Sequence, residues 1–228
     1  MPNPPSPPSE RATLRRQADL AAYDRPTVDS ILDAGLVAHV GLVDADGTPV
    51  VIPMAYARLG DRVVVHGSVA SRLMRGGSGA AVCLTVTILD GLIVARSLFE
   101  SSMRYRSVVV RGVAVAVERA DDRREALLAL SERLIPGRSL EARLPNEKEL
   151  AATRVWAVEL DECSAKVSVG FPEDPADDVA LDVWAGVVPL LRRWGDPVAA
   201  PDLRRGIPVD PSVSALAADP RLVGPELG

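Results

Sequence analysis

Apolar residues alternate in short runs through most of this chain and take helical spacing in only a few places, which predicts a β-rich fold carrying helices on its outside. Leu36 to Val43 and Val50 to Tyr56 are β-rich runs joined across Asp46-Gly47, a tight-turn pair, and read as a hairpin. A turn at Leu59 to Asp61 leads into Arg62–His66. Further strands are expected at Ala80–Ile88, Leu92–Ser97, Ser107–Val117, Arg154–Leu160 and Ala165–Val169, with Asp90-Gly91 read as a turn. Strands this closely spaced favour an antiparallel barrel.

Helical spacing enters at Glu10 to Tyr23, through Leu14, Ala18 and Ala21-Ala22, and again after Thr27, read as an N-cap, with Val28, Ile31 and Leu32 inward and Gly35 as the stop. Val69, Leu73 and Met74 suggest a short helix starting near Ser68 and broken by Gly76-Gly77. Asp121 to Leu134 aligns Ala126, Leu127, Leu130 and Leu134 on one face before Pro136-Gly137, and Glu147–Ala152 is a brief helix. From Pro172 the pattern weakens. Trp184 to Trp194 is an isolated apolar patch, and the Pro-rich Ala199 to Gly228 is expected to wrap the surface or stay partly disordered. The fold class is therefore mainly β with flanking helices, α+β, organised as a tail and helix at 1–23, one barrel domain at 24–195 and a C-terminal tail at 196–228.

The 228 residues fit a single core with tails, and with 4% aromatic residues Val, Ala and Leu must fill it. A formal charge of −5 argues against a general nucleic-acid binder. Cys83 and Cys163 lie far apart, which gives no support to a disulfide framework or zinc knuckle and suits a reducing cytoplasm. Met1 to Ser9 lacks the charged and apolar segments of a secretory signal, and the uncharged runs are too short or too interrupted for a membrane span, so a soluble cytoplasmic protein is expected.

The stretch Val65-His66-Gly67-Ser68-Val69-Ala70-Ser71-Arg72 carries the most chemistry. A strand that ends in small hydroxyl residues followed by Arg can hold a phosphate monoester, through unpaired N–H groups at the start of the next helix, the Ser68 and Ser71 hydroxyls and the Arg72 guanidinium. The same residues would also serve as an ordinary cap and a surface charge. Gly76-Gly77-Ser78-Gly79 lacks the Gly-Lys-Ser/Thr ending of a nucleotide P-loop and reads as a turn.

Taken with the early Asp-Gly hairpin, that stretch, Tyr105-Arg106-Ser107-Val108-Val109-Val110-Arg111-Gly112 and Val183-Trp184-Ala185-Gly186-Val187-Val188-Pro189 resemble the pyridoxamine 5′-phosphate oxidase-like superfamily over roughly residues 24–190. The nearest branch is the flavin-nucleotide-binding group that includes nitroimidazole-resistance proteins. The resemblance implies an antiparallel split β-barrel of the FMN-binding type, usually a homodimer with the flavin in the subunit groove. Carried over by position, Ser68, Ser71 and Arg72 would bind the FMN phosphate, and His66 and Gly67 would also lie at the cofactor. Val51, Ile52, Pro53 and Met54 would offer backbone groups to the isoalloxazine edge, with Arg106 and Ser107 approaching from a neighbouring strand. Trp184 would reach a flavin held by the other subunit or act as a packing anchor, and His66 would orient substrate or carry a proton. His39, in an apolar strand, reads as structural.

Two departures narrow the expectation. Val50 to Tyr56 has no basic residue, so the phosphate would lean on Arg72 alone, and no Arg-x-His follows Trp184, which argues against vitamin B6 oxidation. The leading expectation is an FMN-dependent oxidoreductase exchanging a hydride with a small organic substrate. A non-catalytic flavin-binding or storage protein is the second, and a haem-binding split barrel with His66 or His39 as axial ligand the third.

Overall fold

A computed structural model describes residues 6–71, 74, 78–219 and 221. Asp24 caps the first helix, α1 (Arg25–Ala34), its carboxylate accepting from Thr27 N–H at 2.8 Å, with Pro26 in the opening turn. The cap lies three residues before Thr27, where the apolar spacing had placed it, because Pro26 is compatible with a first turn and Asp24 is already extended. Val28, Ile31 and Leu32 are buried as the spacing predicts.

The strands are β1 (Ala21–Ala22), β2 (Val37–Val43), β3 (Pro49–Leu59), β4 (Arg62–Ser68), β5 (Ala81–Val94), β6 (Ser102–Val113), β7 (Val115–Ala116), β8 (Thr153–Glu159), β9 (Cys163–Ser168) and β10 (Gly186–Pro189). Among the described residues they form one antiparallel sheet of order β1-β9-β6-β5-β2-β3-β4-β8-β7, with β10 on β5. Two strands change partner and turn this sheet into a split barrel. β3 pairs with β2 through residues 49–55 and with β4 through 56–59, while β6 runs past Ala114 into β7, which pairs with β8. Inside, Val40, Tyr56, Val63, Val65, Leu84, Val86, Ile88, Val108, Val110 and Trp156 form the core under α1.

Helix α2 (Ala120–Leu134) covers the outer side of β3, β4 and β8 and buries Ala126 and Leu130 against Ala57, Val64 and Val155. Arg133 on its last turn donates to the carbonyls of Leu32, Asp33 and Gly35, occupying acceptors that the end of α1 leaves open. Helix α3 (Glu147–Ala152) begins with a capping box between Asn146 and Glu149.

Three local expectations change. Residues 10–23 make a 3-10 turn at Ala18–Leu20 and then β1, because Gln17 takes a left-handed conformation that breaks a helix and the Ala21–Ala22 backbone pairs with β9. Ala80–Ile88 and Leu92–Ser97 are one strand, β5, and Asp90-Gly91 is a bulge within it. β6 also starts five residues earlier than Ser107.

After β9 come α4 (Ala176–Val179), β10 and α5 (Pro211–Ala215). Residues 210–219 and Arg221 pack across the end of α2 and the turn after it. Asp210 pairs with Arg138 at 2.5 Å, Ser212 N–H donates to Glu141 at 2.9 Å, and Trp194 donates to Asp219, which also holds Arg221. No helix among the described residues is long and apolar enough to cross a membrane.

Candidate functional site

Where β3 leaves β2 for β4, the barrel opens. Residues Val51 to Met54 pair with β2 on one side only, so their other backbone edge faces the opening without a strand partner among the described residues. Ile52 and Met54 point toward the core, while Val51 and Pro53 are exposed on the outer face. Across the opening stand Gly67 and Ser68, the last residues of β4.

Beyond them the chain makes a tight turn. Ser71 N–H donates to the Ser68 carbonyl at 2.9 Å, and Ala70 N–H to the Ser68 hydroxyl oxygen at 3.2 Å. Ser68 therefore shapes the turn with its lone pair and keeps its O–H available to an outside acceptor. Val69 N–H donates to Ala152 O, tying the turn to α3. Arg72, the cation expected here, lies outside the described residues, as do Leu73 and residues 75–77 of the segment expected to be a short helix. Pairing of β4 with β8 places Thr153 beside Ser68 and Arg154 beside Gly67, and Arg154 Nη1 donates to Met74 O at 2.6 Å. No local signal marks Arg154, since its place depends on the register of two strands some 85 residues apart.

His66 faces α2. It stands in a cleft of about 340 Å³ lined by Leu127, Leu130, Leu134, Ser131, Pro145, Glu149 and Thr153. Part of the ring is open to solvent, yet the cleft walls exclude enough water from around it that burial pushes its pKa below the ordinary histidine value. Because burial disfavours the protonated form, the imidazole is neutral at neutral pH and has a nitrogen lone pair to offer. Glu149 on the cleft rim is held down to a pKa of about 2 by Arg143, which takes it out of acid–base exchange. His39 lies instead on the exposed outer face of β2, between Pro53 and Thr85.

Arg106, Ser107 and Trp184 are not brought to the Ser68 turn within one chain. β6 is three strands from β3 in the sheet, roughly 14 Å at ordinary strand spacing. Arg106 is engaged by Asp90 through two bonds of 2.8 Å, and Ser107 sits on the outer face beside Thr87. The exposed Trp184 precedes β10 and folds its ring over Gly186, where a side chain would come within 3.0 Å of the indole.

Residues 24–167, most of this barrel, match a protein family described as pyridoxamine 5′-phosphate oxidase. The chain is a member of the pyridoxamine 5′-phosphate oxidase family. Within this split-barrel superfamily it is similar over nearly its whole length to two solved structures. The FAD and haem binding protein from Mycobacterium smegmatis is 43% identical with a TM-score of 0.83, the match covering 87% of this chain and 97% of that one. A flavocytochrome from Azotobacter vinelandii is 37% identical with a TM-score of 0.88, covering 93% and 99%. A Bacteroides thetaiotaomicron protein named for 5-nitroimidazole antibiotic resistance, 22% identical with a TM-score of 0.53 over 64% of this chain and 86% of its own, shares the fold. A search of the curated proteins gives no match.

Proposed function

We propose that this member of the family is a redox protein that holds a flavin in the opening between β3 and β4 and a haem against His66. The observation that carries the reading is the near full-length similarity, at 43% identity, to a protein named for binding both FAD and haem. The chain contributes only two histidines, and one of them lines the cleft under α2, where burial lowers its pKa. Leu127, Leu130 and Leu134 suit the face of a macrocycle, and a neutral imidazole suits its iron. His39 stands instead on the outer face of β2, between Pro53 and Thr85.

The Ser68–Ser71 turn would take a phosphate of the flavin, and the unpaired backbone edge of Val51 to Met54 would meet the ring. FMN and FAD share the 5′-phosphate, so the FMN expected from the sequence fits the same turn. FAD is the stronger reading, since the 43% identical protein is named for it. A flavin bound there would supply two-electron exchange with an organic partner and single-electron exchange with a haem. The chain's own part is to position the groups and exclude water.

Purified protein supplied with both cofactors is expected to show flavin absorbance together with a Soret band, and acid release should yield FAD on chromatography. Uptake of neither cofactor would end the reading, and release of FMN would return the flavin to the narrower expectation.

We further propose a homodimer built on the outer face of β3, β2, β5 and β6. Val51, Pro53, His39 and Cys83 are exposed there, and Val51 keeps 64% of its surface open to solvent, an unusual cost for an apolar strand residue. Pairing two such faces would carry Ser107 and Trp184 of one chain toward the opening of the other. Sedimentation should give twice the 24.2 kDa chain mass, and Val51→Asp should shift the protein toward monomer. A monomer at all concentrations would refute it.

A further inference from the structure

We infer that Arg154, on β8, is a second cation of the flavin phosphate site. The inference rests on the flavin reading above. The motif places a single guanidinium, Arg72, beside its two serines, whereas the pyrophosphate of FAD carries two negative charges.

Strand pairing supplies the missing one. β8 runs antiparallel to β4 with Arg154 opposite Gly67 and Thr153 opposite Ser68, so Arg154 shares the face of Gly67 and Met74, one residue along the strand from the hydroxyl turn. The part-buried guanidinium spends one N–H on Met74 O at 2.6 Å. An arginine has five N–H donors in a planar fork, and no carboxylate pairs with this one among the described residues. Several part-buried arginines are answered by an acid, as Arg25, Arg58, Arg96, Arg106, Arg138 and Arg143 are, and Arg154 is not among them. Thr153 cannot compete for the same anion with its hydroxyl donor, which is committed to Glu149 O at 2.9 Å.

Glycine at 67 is part of the arrangement. A side chain there would come within 2.8 Å of Met74 Cγ, so the bare backbone opposite Arg154 is what lets Met74 pack beneath the turn and present its carbonyl to the guanidinium. That bond fixes one arm of the fork and leaves the rest to reach an anion at the turn, in the bidentate manner that arginine favours with phosphates.

The test compares flavins with and without phosphate. Arg154→Met should weaken FAD and FMN binding by about tenfold to a hundredfold, the scale of one charge-assisted hydrogen-bonded contact, and leave riboflavin affinity unchanged. Arg154→Lys, which keeps the charge, should recover part of the loss. Equal weakening of all three flavins would mean that Arg154 only holds Met74 in place, and no weakening of any would mean that it faces no phosphate; either result overturns the inference. Inorganic pyrophosphate separates this from the parent reading. Should the unaltered protein bind no flavin yet gain thermal stability from pyrophosphate through Arg154, the anion site stands and the flavin assignment falls. If pyrophosphate and flavins both leave it unmoved, the two fall together.

Discussion

Replacing Arg106 by Met is expected to lower the stability of the folded chain by about 3 kcal/mol, because it strands a buried carboxylate. Asp90 has 2% of its side chain exposed and accepts from Arg106 Nε and Nη2, both at 2.8 Å. The pair sits at the β5 bulge, where Leu190 N–H also reaches Asp90 O and where the Val188 carbonyl lies 2.5 Å from the site of a side chain on Gly91. For a domain of this size the loss corresponds to a melting temperature lower by roughly 6–12 °C in a calorimetric scan. Adding Asp90→Asn should return much of it, since the neutral amide costs far less to bury than an unpaired charge. A single variant that melts with the unaltered protein would show that the pair contributes nothing net. Because this arginine is committed to Asp90, the same experiment weighs against a direct contact between Arg106 and a flavin of its own chain.

His66→Ala is expected to abolish the Soret band while the flavin spectrum is retained, because the imidazole lines the α2 cleft, whereas the proposed flavin contacts are the backbone edge of Val51 to Met54 and the turn after Ser68. His39→Ala should leave both spectra intact. The pH dependence has a defined sign. Burial lowers the His66 pKa, so the neutral form that can bind iron persists to a lower pH than for an ordinary histidine, and haem should be released only as the pH falls through that lowered value. Titrating the Soret band downward in pH checks this, and a release midpoint above the ordinary histidine range would count against ligation by His66. Retention of the band in His66→Ala with its loss in His39→Ala would move the haem to the open sheet face.

Much of the barrel could be read locally. The β2–β3 hairpin forms where Asp46-Gly47 predicts, with Gly47 at φ 83° and Asp46 accepting from Thr48 N–H, because a two-faced turn is encoded by the residues that make it. Helix α2 begins within one residue of its expected start and ends where Pro136-Gly137 requires. Asp90-Gly91 misled for an equally physical reason. The dipeptide suits a turn and a bulge alike, and only β6 on one side and β10 on the other select the bulge. The Glu10–Tyr23 segment had the apolar spacing of a helix but no partner helix to bury it, whereas the edge of β9 offered its backbone a ladder.

The candidate site divides along the same line. Its serines and glycine are contiguous in the chain and could be found together, and His66 was visible as one of two histidines. That His66 and Ser68 lie under α2 and at a barrel opening respectively, that Arg106 is spoken for by Asp90, and that Arg154 comes alongside Gly67 could not be read from spacing.

By itself, then, the order of apolar and turn residues determined which segments are strands and helices, the barrel class and the hydroxyl-rich turn, since each depends on neighbours within a few positions. Tertiary structure decided which edge of β3 stays unpaired, which way His66 points and which arginines retain uncommitted donors. Those properties arise from strand register and partner exchange between segments far apart in the chain, and a shift of one residue in either would invert every side chain concerned.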